Sequence, residues 1–184
     1  LRVVNSDPAF EKLLKDAGLS LKMSGEDPRR DEVRGKAKVI AKKIGKNYIE
    51  GRIGLIIDGT GKKYDGIAKQ KAELESLGYD CYMIFVNTSI DVALQRNTKR
   101  DRVVPESIVI SSWKAVQSNI GKFNNLFKNG MIIVDNNKTD EDVEMMTFKR
   151  VKALLKNKVT NRRAKQWVEM EMQRRGITKK PKGF

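Results

Sequence analysis

The chain has 184 residues with 38 Lys and Arg against 23 Asp and Glu, a net charge of +15 at pH 7, and this length predicts one domain with its own core. The sequence contains no run near the ~18 consecutive apolar residues of a membrane-spanning helix and no export-signal pattern, so we expect a cytoplasmic protein with no membrane partner. One cysteine, Cys81, and no histidine exclude an intrachain disulfide and a cysteine–histidine metal site.

The first predicted elements are a short buried strand and a helix, joined by a polar triplet. The strand is the apolar start of the chain, residues 1–4. Pro8 suits the first turn of a helix, which should run to Ala17 and end at Gly18. The triplet Asn5-Ser6-Asp7 is either an ordinary helix cap or a functional group at the carboxyl end of the strand.

A polar stretch, a long helix and a second strand follow. The polar stretch covers residues 22–27, and the helix begins at Pro28. Its apolar face, at the helical period, is predicted to hold Val33, Ala37, Ile40, Ile44 and Tyr48. The short apolar run from Gly54 to Asp58 predicts a fully buried parallel strand that ends in a carboxylate.

The remainder of the chain alternates helices and strands. We predict, in order, a glycine turn at 59–61, a helix at 64–77, a strand at 80–86, a helix at 89–97, a basic connector at 99–104, a helix from Pro105, a strand at 131–135 and helices at 140–156 and 161–175. The buried side of the helix from Pro105 should hold Trp113, Val116, Ile120, Phe123 and Phe127. This alternation predicts an α/β fold, a parallel sheet with helices on both faces, with ligands at the carboxyl ends of its strands.

Two further clusters carry possible chemistry. In Asp58-Gly59-Thr60-Gly61 a strand-end carboxylate can hold Mg²⁺ directly or through water, and the glycines allow a ligand to approach the backbone. The alternative is a tight turn with a capping aspartate. The segment from Arg96 to Arg102 contains three arginines that can neutralise phosphate charge, or that simply form a solvated loop.

The order of these clusters resembles the P-loop kinases typified by bacteriophage polynucleotide kinase and the zeta toxins. Asn5-Ser6-Asp7 is similar to the N-x-D or D-N-D after the second strand of that group. Asp58-Gly-Thr-Gly61 resembles the E-G-T-G of zeta toxins, and Arg96-Asn-Thr-Lys-Arg100 with Val104-Pro105 resembles the R-N-x-K-R…V-P of the phage kinase lid. The resemblance covers about residues 1–137 and implies the P-loop kinase fold.

The resemblance also implies roles for individual residues. Asp7 would accept the proton of the attacking hydroxyl. Asp58 with Thr60 would line the Mg²⁺ and acceptor side, with Asp58 holding the metal directly or through water. Arg100 would stabilise the transition state. The implied contacts with the nucleotide are Arg96, Arg102 and Asn136, with Asn137 beside it. The cofactors implied are ATP and Mg²⁺.

The sequence departs from that family in one respect, because it contains no G-x-x-x-x-G-K-[ST] phosphate-binding loop. The nearest segment, Gly59-Thr-Gly-Lys-Lys63, has Ile56 where the first glycine should stand. We therefore expect that the first strand and the loop lie upstream of Leu1, and that a sheet without this central strand has two inner edges. The alternative is a protein that has lost the loop and now binds without catalysing.

These observations predict an ATP-dependent kinase that phosphorylates a hydroxyl on a nucleic acid end, a nucleotide or a nucleotide sugar. Residues 1–157 would form the kinase-like domain, and 158–184 a basic helix and tail. Because residues 151–184 hold 11 Lys and Arg against 2 Glu, the alternative is a non-catalytic nucleic-acid-binding protein on a kinase scaffold. A third hypothesis is a nucleotide-binding assembly protein that hydrolyses ATP without transferring the phosphate to an acceptor. The oligomeric state stays open.

Overall fold

A computed structural model of the chain describes residues 1–21, 27–138, 141–181 and 183, and of Glu141 its backbone only. The predicted polar stretch at 22–27 lies, apart from Asp27, outside the described residues. The helices are α1 (Asp7–Asp16), α2 (Pro28–Glu50), α3 (Tyr64–Leu77), α4 (Ile90–Thr98), α5 (Glu106–Gln117), α6 (Ile120–Phe127), α7 (Glu141–Leu154) and α8 (Arg162–Arg174). The strands are β1 (Arg2–Val4), β2 (Leu55–Ile57), β3 (Met83–Asn87) and β4 (Met131–Asp135). Across the described ranges, no helix has the length and apolar character needed to span a membrane.

These elements belong to two compact units, each with its own short parallel sheet. Unit 1 comprises Leu1–Thr60 and Ala93–Ser112, and unit 2 comprises Gly61–Val92 and Trp113–Phe184. The prediction that the strands pair in parallel is confirmed for both pairs, β1 with β2 and β3 with β4. The single sheet predicted from the alternation is replaced by these two separate pairs. Within the described part of the chain no further strand lies beside β2 or β3 to extend either pair.

The strands of unit 1 are less buried than predicted. Val3 and Ile56 are paired in register, and the side chain of Ile56 is 47% exposed. The prediction of a fully buried strand at β2 is therefore wrong. A strand with only one hydrogen-bonded neighbour has one side open, and three residues are too short to be covered completely.

The core of unit 1 is the contact between α1 and α2. Its buried cluster is Phe10, Leu14, Val33 and Ala37. Along α2 the buried positions continue every fourth residue, to Ala41 and Gly45. Gly45 lies where an added Cβ would meet the side chain of Val4 at 3.4 Å, so the small residue permits a close approach of α2 to β1.

This packing corrects the predicted apolar face of α2. Val33 and Ala37 are buried as expected, but Ile40 and Ile44 are exposed. The prediction followed the largest apolar side chains, whereas close packing selected the small ones one position further along the helix. The buried stripe of a helix depends on how closely its neighbour approaches, which the periodicity alone does not specify.

The core of unit 2 is built around Phe123, which is fully buried on α6. Its ring lies 5.6 Å from the ring of Tyr64 and 6.4 Å from that of Phe85. The helix predicted from Pro105 is divided into α5 and α6, and its break includes Asn119. The buried Asn119 amide donates hydrogen bonds to the carbonyls of Gly61 and Lys62, which fixes the turn before α3.

The remaining predicted members of that buried side are half-buried, namely Trp113, Val116, Ile120 and Phe127.

The end of α3 and the start of α8 are joined by polar contacts. Asn161 caps α8 and donates its amide hydrogens to the carbonyls of Glu75 and Tyr79. Thr160 donates its backbone and hydroxyl hydrogens to the carboxylate of Asp80. The predicted domain boundary at residue 157 remains a prediction.

We expect the thiol of Cys81 to be unreactive at neutral pH. Partial burial, followed by the negative charge of Glu75, raises the pKa of Cys81 to about 11. Since the thiolate is the nucleophile, alkylation by iodoacetamide should be slow at pH 8 and accelerate tenfold per pH unit towards the pKa. Measuring the rate between pH 7 and 10 in the folded protein, against the protein in denaturant, checks this. Equal rates in the two states at pH 8 would contradict it.

Candidate functional site

A pocket of about 520 Å³ opens in unit 1 beside the first turns of α1. Its lining is mostly ionisable and comes from α1, from the segment that follows α1 and from the loop that follows α4. The lining residues are Asp7, Glu11, Lys15, Leu21, Lys99, Arg100, Asp101, Arg102 and Val104. Three of the predicted site residues, Asp7, Arg100 and Arg102, therefore line the same cavity.

One face of α1 supplies the side chains of the pocket wall. Asp7, Glu11 and Lys15 follow each other at intervals of four residues, which places them one above another on a helix. Phe10 and Leu14, one position before Glu11 and Lys15, are buried in the core. The packing of α1 on α2 thus fixes which face of α1 meets the pocket.

The triplet at the start of α1 contains the residue that caps the helix. The backbone N–H of Asp7 donates a hydrogen bond of 2.8 Å to Oδ1 of Asn5, and Ser6, at the N-cap position, makes no side-chain cap hydrogen bond. Asn5 therefore does the capping, and the carboxylate of Asp7 is left for other contacts. The triplet therefore contains a helix cap, and the functional role of Asp7 remains a prediction.

The main partner of the Asp7 carboxylate is Arg102. Nη2 of Arg102 lies 3.2 Å from Oδ2 of Asp7, and its Nε lies 3.9 Å from Oε1 of Glu11. The guanidinium also lies 5.9 Å from the centroid of the Phe10 ring. With 21% of its side chain exposed, Arg102 pairs with two carboxylates in the lining of the pocket. Its predicted contact with a nucleotide remains a prediction.

The loop that carries the other cations is closed by Asn97. Its amide donates to the carbonyl of Val104 at 2.7 Å, and its Oδ1 accepts from the N–H of Val104 at 3.1 Å. This reciprocal pair joins the two ends of a loop that contains Lys99 and Arg100. The backbone N–H of Arg100 also donates to the carbonyl of Asn97. The cations are thus presented by a defined loop.

Three cations in the pocket wall, Lys15, Lys99 and Arg100, are available to an anionic ligand. Each lines the cavity, and none has a carboxylate partner among the described residues. Cations without counter-charges around one cavity are suited to phosphate, for which Arg can supply two parallel hydrogen bonds and Lys a point charge. Lys15 and Glu11 were not predicted from the sequence to belong to the site. Their spacing of four residues along the helix from Asp7 would have indicated it.

Asp58 and Thr60 lie at the end of β2 and outside the lining of this pocket. Oδ2 of Asp58 accepts a hydrogen bond of 2.8 Å from the amide of Asn5, so the ends of β1 and β2 are linked through side chains. Both Asp58 and Thr60 are exposed. The parallel pairing therefore brings Asn5 and Asp58 together, next to the helix that starts at Asp7.

For Mg²⁺, Asp58 offers one exposed carboxylate. The described residues contain no cluster of three or more acidic, histidine or cysteine side chains that could hold a metal. A single carboxylate fits Mg²⁺ sites that take their remaining ligands from water and from substrate phosphates. An ion held by Asp58 would take its other ligands in this way, and the assignment of Mg²⁺ to Asp58 remains a prediction.

The last two predicted residues lie elsewhere. Arg96 is in the last turn of α4 and is not among the side chains that line the pocket. Asn136 belongs to unit 2, where its N–H donates to the carbonyl of Asn87. The side chain of its neighbour Asn137 bonds to the carboxylate of Asp135 and accepts from the N–H of Ser89. The predicted contacts of these residues with a nucleotide remain predictions.

Comparison with protein families gives one finding. The sequence model of the zeta toxin family matches residues 20–144. The matched range includes Asp58, Thr60 and the whole arginine segment, and it excludes Asp7 and the residues after 144. No curated protein matches the chain.

Proposed function

The chain belongs to the zeta toxin family, a family of P-loop kinase-like proteins, and from that membership we propose that it acts as an ATP-dependent kinase. The proposed reaction transfers the γ-phosphate of ATP to a hydroxyl on a nucleic acid end, a nucleotide or a nucleotide sugar, with Mg²⁺ required. The family membership supports nucleotide binding in general, and the choice of acceptor is part of the proposal.

The observation that carries this proposal is the pocket that contains Asp7 together with Arg100. It places a carboxylate and unpaired cations in one cavity of unit 1. A kinase needs both, because a base must accept the proton of the attacking hydroxyl while cations balance the charge on the transferred phosphoryl group. If the triplet before α1 were only a helix cap and the arginine segment only a solvated loop, nothing would require Asp7 and Arg100 to line the same pocket.

The proposed roles are those that the family resemblance implies, and the contacts in the pocket support the place of Asp7 among them. Asp7 accepts the proton of the hydroxyl, and Arg102 orients the Asp7 carboxylate through its hydrogen bond of 3.2 Å. Arg100 and the lysines beside it bind the phosphates. Asp58 holds Mg²⁺ on the acceptor side. The 184 residues contain no G-x-x-x-x-G-K-[ST] loop, so we expect them to show little or no turnover of ATP by themselves.

The proposal is tested by a phosphoryl-transfer assay with the complete gene product, labelled ATP, Mg²⁺ and the three acceptor classes in parallel. Asp7→Asn should lower the rate by about a hundredfold, since it removes the base and keeps the shape of the side chain. The matched control is Asp31→Asn on α2, which removes an exposed carboxylate outside the pocket. Transfer to none of the acceptors, or equal rates for the two variants, would contradict the proposal.

A non-catalytic nucleic-acid-binding protein is the second candidate function. The specific observation in its favour is the basic segment after the family match, where residues 145–184 contain 13 Lys and Arg against 2 Glu. Such a segment binds polyanions by releasing their counterions. Binding to an oligonucleotide that weakens steeply with salt, and that is unchanged in the Asp7→Asn variant, would support it.

A further inference from the structure

The helix α7 has an outward stripe in which apolar and basic residues are interleaved. The stripe consists of four residues on one side of the helix, because they are spaced by three, one and three positions: Met145, Phe148, Lys149 and Lys152. All four are exposed. We call this set the outer face of α7. The opposite side of the helix, with its half-buried residues Val143, Thr147, Val151 and Leu154, faces the interior of unit 2.

Phe148 is the most unusual member of the outer face. Its side chain is 60% exposed, and a large aromatic ring in water is not explained by packing. The ammonium of Lys152 lies 5.8 Å from the centroid of this ring. A flat exposed ring with a cation beside it is suited to a ligand that has both an aromatic face and a negative charge.

The lysines of this face make no ion pair with the described residues, although α7 also carries the exposed acidic residues Asp142 and Glu144 in its first half. The two acidic residues of the segment from 145 to 184 are already engaged, Glu169 with Lys180 and Glu171 with Arg174 and Arg175. Lys149 and Lys152 have no ion-pair partner in the part of the chain that the structure describes. The outer face therefore carries free positive charge towards the solvent.

We propose that the outer face of α7 is a docking surface for single-stranded nucleic acid. An unstacked base stacks on the ring of Phe148, and backbone phosphates contact Lys149 and Lys152. A duplex keeps its bases stacked and offers none to the ring, so the exposed aromatic residue favours a single strand. The surface lies beyond residue 144, the end of the family match, and thus adds to the kinase-like part.

An anionic membrane is the other polyanion that such a helix can meet. Helices that lie in a membrane interface separate a broad apolar face from a polar one. In α7 the apolar and basic residues share one stripe instead, and the opposite side of the helix packs within unit 2. This arrangement favours stacking and phosphate contacts over insertion into lipid.

The inference deepens the nucleic-acid alternative and rests on it, and it does not depend on kinase chemistry. The experiment therefore measures binding without ATP, by fluorescence anisotropy of the full chain with a labelled single-stranded oligonucleotide of mixed sequence. The same oligonucleotide as a duplex, and vesicles containing phosphatidylserine, serve as competitors. Affinities are measured across a series of salt concentrations, because the slope reports the number of phosphate contacts.

Phe148→Ala should weaken binding of the single strand by about tenfold, and Phe148→Leu by nearly as much, because both remove the ring. Phe148→Tyr should retain the affinity. The double variant Lys149→Gln/Lys152→Gln should make the slope of log affinity against log salt shallower by roughly 1.4. The matched control is Lys42→Gln/Lys43→Gln on α2, which removes the same charge from exposed positions of unit 1.

Four outcomes would overturn the proposal. Equal weakening by the control pair and the α7 pair would show that only net charge matters. Full affinity in Phe148→Leu would mean that an apolar contact, not stacking, is made. Competition by the duplex as strong as competition by the unlabelled single strand would show that no unstacked base is bound, and stronger competition by the vesicles than by that strand, at equal charge, would assign the face to a membrane. None of these outcomes bears on phosphoryl transfer by the pocket in unit 1, so the two proposals can fail separately.

Discussion

Replacing Arg100 with alanine is expected to lower the rate of phosphoryl transfer by about a thousandfold or more in the complete gene product. The side chain lines the pocket with Asp7 and has no carboxylate partner among the described residues, so its charge is free for a phosphoryl group. Its backbone bond to Asn97 does not involve the side chain and should persist in the variant. The measurement is the rate of transfer from labelled ATP at saturating acceptor.

The same variant should lose little stability, because an exposed side chain without an ion pair contributes little to folding. Thermal unfolding of Arg100→Ala and of the control Lys43→Ala, an exposed cation on α2, should give similar midpoints. Arg100→Lys should recover only part of the rate, since it keeps the charge and loses the paired hydrogen bonds. Near-full activity in Arg100→Ala would remove Arg100 from the proposed chemistry.

Helix ends were predicted most accurately where a local signal fixes them. The helix at 64–77 was predicted with the bounds of α3, because Gly78 adopts a left-handed conformation with φ of 109° that favours glycine. Gly18, with φ of 66°, similarly follows the end of α1. These features depend on a few neighbouring residues, and a single sequence therefore contains them.

Packing was predicted less well, because it depends on residues far apart in the chain. In the second half of α2 the buried side lies one position beyond the predicted one, because the small residues Ala41 and Gly45 allow a close approach that larger apolar residues would prevent. The parallel sense of the strands was predicted, but the number of strands in each sheet was not. A strand pattern indicates which face is apolar, and it does not state how many neighbours the strand has.

The candidate site shows the same division between local and distant information. The sequence identified Asp7, Arg100 and Arg102 as members of one site, and the pocket brings them together. It did not predict that Arg102 pairs with Asp7, because 95 residues separate them. The sequence also gave no role to Asn97, although its side chain closes the loop by two hydrogen bonds to Val104. Such contacts between side chains follow from the folded loop and have no periodic signature.

Replacing Phe123 with alanine should destabilise the protein by about 3–5 kcal/mol, the largest loss of stability that we expect from a single side chain. Phe123 is fully buried, and the aromatic rings of Tyr64 and Phe85 lie against it. An added Cβ at Gly61 would lie only 3.7 Å from the Phe123 ring. On this side, therefore, the ring packs against the backbone of Gly61. Backbone cannot collapse easily into the space that the ring leaves, and a cavity should remain.

Phe148→Ala is the matched control for this loss, because it removes the same ring from a position that is 60% exposed. A surface substitution of this kind should change stability by no more than about 0.5 kcal/mol. Urea unfolding of both variants, followed by circular dichroism, compares the two directly. Since the chemical change is identical, the difference between the variants isolates burial and packing around Phe123. Equal destabilisation would mean that α6 does not form the core of unit 2.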